Sequence, residues 1–350
     1  MSSASTRETR SDLGSLSGGT SVGLTMAKKI LLINGGGAFG LIPAYFLSLI
    51  EDYTCQDFRE PLDCLAGSSI GGILAATYSV GHHPQVVKAD FTPACEQIFK
   101  KRIWAKCNPL ASPKYDDKKL VEFINSYTGG YTIADIRKKY PKLSVFFAGL
   151  DATDDYFKVW DNITGNDDAE KLSDICRITC AAPTYFDAVD RDGHAMIDCG
   201  VIDNTMILTT TTGYKSKCGV DFEDMDVMLI GTGFLVDEQP LTAKRYNSLN
   251  QLGILYNLII PYVTQSNELA SIFWARHLGL RNFYYFNPVV IKGELDDASQ
   301  LPGVMNECYK YDHEFIRMWK AFLSDEKKDP DKQISELIML PAGHGGAFQK

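Results

Sequence analysis

The chain has 350 residues, of which 45% are hydrophobic and 23% are charged, and its formal net charge is −9 at pH 7. This balance suits a globular fold with one large core, and the acidic charge gives no general attraction to nucleic acid or anionic lipid. No run of about 18 consecutive apolar residues occurs, so the sequence predicts no membrane-spanning helix.

The two ends of the chain differ in composition from the part between them. Residues 1–25 are rich in Ser, Thr and Gly and nearly lack large apolar side chains, which predicts a disordered extension. Residues 26–325 alternate short apolar runs with helical patterns, as expected for one α/β domain. Residues 326–350 are first charged and then apolar, so we expect a tail that packs partly onto the domain.

The first motif in chain order is a glycine-rich turn, Gly35-Gly36-Gly37-Ala38-Phe39-Gly40, between a strand predicted over residues 29–34 and a helix predicted over residues 41–50. Backbone N–H groups in such a turn can bind a nucleotide phosphate, a dinucleotide pyrophosphate or the oxyanion of an acyl-transfer intermediate. The lysine of the nucleotide-phosphate motif is absent. The dinucleotide motif requires an acidic residue at the end of the next strand, whereas Asp63 stands at the start of that strand.

A second glycine turn follows the next apolar run. Residues 62–66 are predicted to form a strand and residues 73–78 a helix, with Gly67-Ser68-Ser69-Ile70-Gly71 between them. Gly-x-Ser-x-Gly on a sharp strand-to-helix turn exposes its serine and aims a helix N-terminus at the reaction partner. Alone, the pattern equally suits a Ser/Gly turn that caps a helix. Two such strand–turn–helix units in succession favour the oxyanion interpretation.

A serine nucleophile needs a base, and the sequence offers a carboxylate more readily than a histidine. Asp198 emerges from the short apolar segment at residues 196–197 straight into a turn. None of the six histidines lies in a glycine-framed turn: His82 and His83 are predicted at a helix end, and His194 at a polar hairpin tip. A carboxylate can replace histidine as the base if burial raises its pKa towards the working pH.

Taken together, these motifs resemble the patatin-like phospholipase family, in which a glycine loop, a Gly-x-Ser-x-Gly elbow and an Asp-Gly-Gly/Ala turn occur in this order. Residues 177–186 resemble the family's Ala-x-x-Ala-Ala-Pro-x-Tyr-Phe segment, and residues 227–233 resemble its strand and Gly-Thr-Gly turn. The resemblance covers about residues 28–235. The matching positions are Gly35, Gly36, Gly37, Gly40, Gly67, Ser69, Gly71, Gly72, Asp198 and Gly200.

The resemblance implies a three-layer α/β/α fold with a largely parallel central sheet. It also implies a lipid acyl hydrolase of the phospholipase A type, with Ser69 as nucleophile and Asp198 as base in a dyad without histidine. The implied oxyanion hole consists of Gly35, Gly36, Gly37 and Gly40, and the implied elbow glycines are Gly67 and Gly71. No metal or cofactor is implied. The aspartates of residues 154–155 and 167–168 fit no EF-hand spacing and predict solvated loops.

Two positions depart from the family pattern. Phe39 stands where the family usually has Arg or Lys, so oxyanion stabilisation is expected to rest on backbone N–H groups such as those of Gly36 and Gly37. Cys199 stands where the family has Gly, and because Cys adopts positive φ less freely, we expect a less extreme or slightly strained turn. Neither position is the nucleophile or the base.

The expected partner is a lipid ester at a membrane surface, met through transient contact; no nucleic acid is expected. Residues 98–106 could form an interfacial segment, although an ordinary helix with a basic outer face is favoured. Residues 252–263 could form a membrane-inserted lid, although a buried or site-lining helix is favoured. Nine scattered cysteines predict free thiols, which indicates a cytoplasmic protein. Because a lipid ester is the expected substrate, we expect this protein to be peripheral at membranes. A catalytically weak lipid-binding or effector protein and a nucleotide-binding module remain as alternatives.

Overall fold

The computed structural model describes residues 26–100, 113–236, 260–291 and 296–328. The predicted extension at residues 1–25 and residues 329–350 of the predicted tail lie outside these ranges. The strands are β1 (Lys28–Ile33), β2 (Cys64–Gly67), β3 (Ser144–Asp151), β4 (Tyr156–Asp161), β5 (Val189–Arg191), β6 (His194–Asp198), β7 (Met225–Ile230), β8 (Phe234–Val236), β9 (Asn282–Phe286) and β10 (Val289–Ile291). The α-helices are α1 (Leu41–Thr54), α2 (Ile70–Ser79), α3 (Pro84–Ile98), α4 (Lys118–Thr128), α5 (Ile133–Lys139), α6 (Leu172–Thr179), α7 (Gly200–Asp203), α8 (Ile207–Cys218), α9 (Ile260–His277), α10 (Leu301–Cys308) and α11 (Asp312–Leu323).

Eight strands form the central sheet. Hydrogen-bonded pairing connects them in the sequence β5-β6-β3-β2-β1-β7-β9, and β4 also pairs with β3. The pairs from β3 through β2, β1 and β7 to β9 are parallel. The antiparallel pairs lie at the other side, where β3 contacts β4 and β6, and β6 contacts β5. The predicted largely parallel sheet is therefore confirmed.

Apolar residues of β1 alternate between the two faces of the sheet, as the period of a strand requires. Leu31 and Ile33 belong to one buried cluster with side chains of α1, α2, α3 and α6. Ile30 and Leu32 belong to a second cluster with side chains of α8 and α9. Because helices cover both faces, the sheet is the middle layer of an α/β/α sandwich, which is the predicted architecture.

The register of β3 brings the carboxyl ends of β2 and β6 together. β2 pairs with the first part of β3, up to Ala66 opposite Phe146, whereas β6 pairs with its last part, from Asp198 opposite Gly149. Since β4 occupies the other flank of β3, β2 and β6 share one flank and meet with their carboxyl ends facing. The turn after β2 and the end of β6 therefore meet at one place beside β3.

A buried ion pair closes the amino end of the sheet. The ammonium of Lys29 donates to Asp226 at 2.7 Å and to the carbonyls of Phe322 and Ser324, each at 2.8 Å. Both side chains of the pair are almost fully buried, and Arg281 also contacts Asp226. These bonds fasten the last turn of α11 to the starts of β1 and β7.

Replacing Lys29 by Met is expected to lower the free energy of unfolding by about 3 kcal/mol, because it leaves a buried carboxylate and two carbonyls short of a donor. Urea unfolding measures this loss. Lys28→Met is the matched control, since Lys28 is half-exposed and pairs with Asp63 at 2.9 Å; its cost is expected to stay below about 1 kcal/mol. Equal losses in the two variants would contradict the assignment.

The predicted element positions near the glycine turns are close to those observed. β1 and α1 begin within one residue of prediction, whereas β2 begins two residues later and α2 three residues earlier than predicted. Residues 101–106 of the first candidate membrane-contacting segment (98–106) and residues 252–259 of the second (252–263) lie outside the described ranges. Within those ranges, no helix combines the length and hydropathy that crossing a membrane requires.

Candidate active site

Ser69 occupies a strained backbone conformation between β2 and α2. Its φ of 53° and ψ of −125° lie outside the regions that L-residues usually adopt, and α2 begins at the next residue. A Cβ on Gly67 would collide with the backbone of Gly71, and one on Gly71 would collide with the carbonyls of Ile33 and Asn34. The two glycines therefore allow the backbone to turn sharply enough to present the serine side chain.

Asp198 lies at the end of β6, where its side chain is close enough to the Ser69 hydroxyl for that hydroxyl to lower the pKa of the carboxyl group. The carboxyl group is buried, and its Oδ1 accepts the N–H of Gly200 at 2.7 Å. Burial raises the pKa of Asp198 from its usual 3.8 to about 7, although the N–H of Gly200 and the hydroxyl of Ser69 act in the opposite direction. A carboxyl group with this pKa can take and return a proton near neutral pH.

The end of α6 supports both members of this pair. The backbone N–H of Ser69 donates to Oγ1 of Thr179 at 3.1 Å, and the N–H of Asp198 donates to the carbonyl of Ala181 at 3.1 Å. Between them, the buried thiol of Cys180 lies near the Ser69 side chain. The sequence resemblance included this segment, but neither the Thr179 nor the Cys180 contact was predicted, because both depend on tertiary packing.

Thr179→Val is expected to lower kcat/KM about tenfold. The part-buried N–H of Ser69 loses its hydrogen-bond acceptor, so the strained backbone that positions the Ser69 side chain loses a support. Thr179→Ser keeps the hydroxyl and is expected to stay close to the parent. The measurement is steady-state hydrolysis of a soluble ester, together with the rate at which a fluorophosphonate labels Ser69. Equal activity of the Val and Ser variants would contradict a positioning role for Thr179.

The glycine loop is fixed beside Ser69 through Gly35. The N–H of Gly35 donates to the carbonyl of Asn204 at 3.4 Å, and its carbonyl accepts the hydroxyl of Thr232 at 3.0 Å. Gly36 and Gly37 are partly exposed, and no acceptor within the described ranges is paired with their N–H groups. Of the predicted loop residues, Gly36 and Gly37 thus have free donors, whereas Gly35 fixes the loop and Gly40 packs closely against Ile70.

The two departures from the family pattern have simple structural settings. Phe39 is fully buried in the core cluster that contains α1 and α2, so its ring lies in the core. Cys199 has φ −68° and ψ −17°, an ordinary helical conformation, so of the two expected forms the turn takes the less extreme one and is not strained at this residue. Its thiol donates to the hydroxyl of Ser68 at 3.3 Å beneath the elbow.

A second, partly buried carboxyl group lies near the glycine loop. Glu268 of α9 accepts the side-chain N–H of Asn34 at 2.9 Å and the hydroxyl of Tyr285 at 2.6 Å. Burial raises the pKa of Glu268. Because Asn34 is the last residue before Gly35, this bond fastens α9 to the base of the loop. Nothing in the local sequence around Glu268 predicts the contact.

His82, His83 and His194 contact groups other than Ser69 and Asp198. His82 contacts the carbonyl of Tyr127, His83 contacts Glu51, and His194 contacts Asp151 at 2.7 Å. Asp151, Asp154 and His194 place one ligand atom each within 4.8 Å of one another, so they could hold a cation, but the hydrogen bond between Asp151 and His194 already accounts for the cluster. Asp167 accepts the N–H of Asp161 at 3.0 Å, and Asp168 pairs with Arg137.

Sequence comparison identifies the family. Residues 31–210 match the family described as patatin-like phospholipase, which is just over half of the chain. The chain belongs to the patatin-like phospholipase family. This assignment confirms the predicted resemblance and fold, and it supports phospholipase activity in general.

Named relatives span most of this chain. It is 27% identical over 288 residues to "cGAMP-activated phospholipase" of Escherichia coli (strain TW11681), covering 75% of this chain and 80% of the relative. It is 28% identical over 286 residues to "Patatin-like protein 1" of Oryza sativa subsp. indica, covering 69% of each protein. The solved structure of VipD from Legionella pneumophila matches with a TM-score of 0.47 and 12% identity, covering 85% of this chain and 67% of VipD.

Proposed function

We propose that this member of the patatin-like phospholipase family is a lipid acyl hydrolase of the phospholipase A type, with Ser69 as nucleophile and Asp198 as base. One observation carries the proposal: the hydroxyl at the strained elbow lies beside a buried carboxyl group whose pKa is raised to about 7. A serine hydroxyl is a weak nucleophile until a base within hydrogen-bond reach removes its proton.

In the first half of the reaction, Ser69 attacks the carbonyl carbon of a fatty-acyl ester while Asp198 takes the hydroxyl proton. The carbonyl oxygen of the ester becomes an oxyanion, and the N–H groups of Gly36 and Gly37 are the proposed donors to it. The tetrahedral intermediate then collapses. The bond to the glycerol oxygen breaks, Asp198 returns its proton to that oxygen, and the acyl group stays on Ser69.

In the second half, a water molecule attacks the acyl carbonyl and gives its proton to Asp198. The bond to Ser69 breaks, the serine oxygen regains the proton, and the fatty acid leaves. One water is consumed, and Asp198 ends in its starting state. The carboxyl group has to accept and release a proton in each half, which a pKa of about 7 permits.

The decisive experiment is a panel of phospholipids, lysophospholipids and glycerides presented in mixed micelles, with release of fatty acid as the readout. The parent is expected to cleave at least one class, and Ser69→Ala is expected to cleave none. A fluorophosphonate is expected to label the parent and leave Ser69→Ala unlabelled. The assay is run with and without cGAMP, because this activator appears in the names of two relatives.

Two results would reject the proposal. Fatty-acid release that survives Ser69→Ala would exclude this serine as nucleophile. Parent protein that binds lipid but neither releases fatty acid nor reacts with the fluorophosphonate, with or without cGAMP, would favour a lipid-binding or effector role for the same fold.

A further inference from the structure

The outer face of α9 is apolar over residues 269–275 although it is exposed. Ile272 and Ala275 face the core and are buried, whereas Leu269, Phe273 and Trp274 are 48–53% exposed. Between Leu269 and Ala275 no residue carries a charge. A helix on the surface of a globular protein usually presents charged residues on its outer side. An exposed apolar face is therefore unusual for a helix whose outer side contacts only water.

The short helix α7 packs against α9 and carries Ile202, which is 49% exposed. We call Leu269, Phe273, Trp274 and Ile202 the apolar face. Elsewhere in the described ranges, most of the exposed large hydrophobic residues are tyrosines, such as Tyr53, Tyr156 and Tyr309, on separate elements. Single exposed residues of this kind are normal on protein surfaces, but several on adjoining helices indicate a binding surface.

The apolar face is connected to the candidate active site at two points, once along the chain and once through a hydrogen bond. Ile202 follows Asp198 by four residues, and its N–H donates to the carbonyl of Cys199 at 2.9 Å. Leu269 follows Glu268, which holds Asn34 at the base of the glycine loop. Both helices that carry the apolar face are therefore anchored to the parts of the chain that hold the base and the oxyanion loop.

We propose that the apolar face docks on a lipid surface of zwitterionic phospholipid and positions the active site at that surface. This rests on the proposed function, since a lipid ester in a bilayer reaches Ser69 only if the protein meets the bilayer near the site. Trp and Phe are the residues that favour the boundary between water and hydrocarbon. Because the face lacks charges and the chain has a net charge of −9, docking needs no anionic lipid.

Sedimentation with phosphatidylcholine vesicles tests the docking surface in the Ser69→Ala background, where no lipid is consumed. Adding Phe273→Ser and Trp274→Ser is expected to weaken vesicle binding at least about tenfold. Leu269→Ser is a second variant on the same face and is expected to weaken binding in the same direction. The matched control, Val86→Ser with Tyr53→Ser, removes two half-exposed apolar groups on α1 and α3 and is expected to leave binding unchanged.

Hydrolysis measured in the Ser69-containing protein separates docking from chemistry. Phe273→Ser with Trp274→Ser is expected to slow fatty-acid release from vesicles about tenfold and to leave cleavage of a soluble short-chain ester unchanged. If the parent cleaves neither substrate but vesicle binding still depends on the apolar face, the docking surface stands and the proposed function fails.

Two results would overturn the docking surface. The first is vesicle binding by the Phe273→Ser, Trp274→Ser and Leu269→Ser variants equal to that of their parent. The second is a dimer in light scattering that Phe273→Ser with Trp274→Ser dissociates without any loss of vesicle binding, since the occupant of the face would then be a second copy of this chain.

Discussion

Asp198→Asn is expected to lower kcat/KM for a lipid ester about 10,000-fold, because the amide cannot accept the proton of Ser69. The change is nearly isosteric, and an amide oxygen can still accept the N–H of Gly200, which reaches Oδ1 at 2.7 Å in the parent. The fold is therefore expected to survive, so the loss reports chemistry. Initial rates of fatty-acid release at pH 8 measure it.

The double variant sharpens this prediction. Ser69→Ala alone is expected to lose at least as much activity as Asp198→Asn, and adding Asp198→Asn to Ser69→Ala is expected to remove nothing further, because the two side chains act as one unit. Glu268→Gln is the matched control: it changes the second, partly buried carboxyl group near the glycine loop but keeps an acceptor for Asn34 and Tyr285. Its loss is expected to stay below about tenfold. A similar loss in Glu268→Gln and Asp198→Asn would contradict Asp198 as the base.

The pH profile is expected to show activity rising with pH to a plateau above about 8. Asp198 must be ionised to act as base, and burial places its pKa at about 7, so kcat/KM is expected to fall tenfold per pH unit below that value. Between pH 8 and pH 5 the expected loss is about 100-fold. Rates on a soluble short-chain ester from pH 5 to 9 measure it without interference from vesicle docking. A profile that stays flat between pH 5 and 8 would contradict a base with this pKa.

The same pKa predicts an effect on stability. In the folded protein the pKa of Asp198 is about 7, above its usual 3.8, so folding favours the protonated carboxyl group. That contribution is complete below pH 3.8 and is lost as pH rises through 7, and it amounts to about 4 kcal/mol in total. Asp198→Asn carries no charge to bury. Its free energy of unfolding relative to the parent is therefore expected to increase between pH 5 and pH 8.

The sequence was sufficient to predict the local units of the site. Each glycine turn stands between a short apolar strand and a helix, and the neighbours of Ser69 and Asp198 in the chain identify both residues. The meeting of β2 and β6 along β3 was beyond prediction, because it depends on register between strands that are distant in sequence. The support from Thr179 and Glu268 was missed for the same reason, since each acts through a tertiary contact.

Phe39 and Cys199, the two positions that depart from the family pattern, illustrate a different limit of prediction from sequence. At Cys199, the sequence left open a less extreme turn or a slightly strained one, and the structure has the residue in the right-handed helical region, which is the less extreme form. At Phe39, the absence of a cation was evident from the sequence, whereas the direction of the side chain was not. Residue type restricts which conformations are available, and packing selects among them.

The elbow glycines have a consequence for how relatives of this chain are interpreted. A side chain on Gly67 or Gly71 would collide with backbone atoms, so any descendant that keeps the fold has to keep these glycines, whether or not it retains activity. At Ser69 the fold favours a different residue. The positive φ of Ser69 costs free energy, and a glycine at this position would remove that backbone strain. A lineage released from selection for catalysis would therefore retain the glycine frame and drift at the serine. Under the proposed mechanism, residue identity at positions 69 and 198, rather than the surrounding glycine pattern, is expected to distinguish enzymes from inactive descendants.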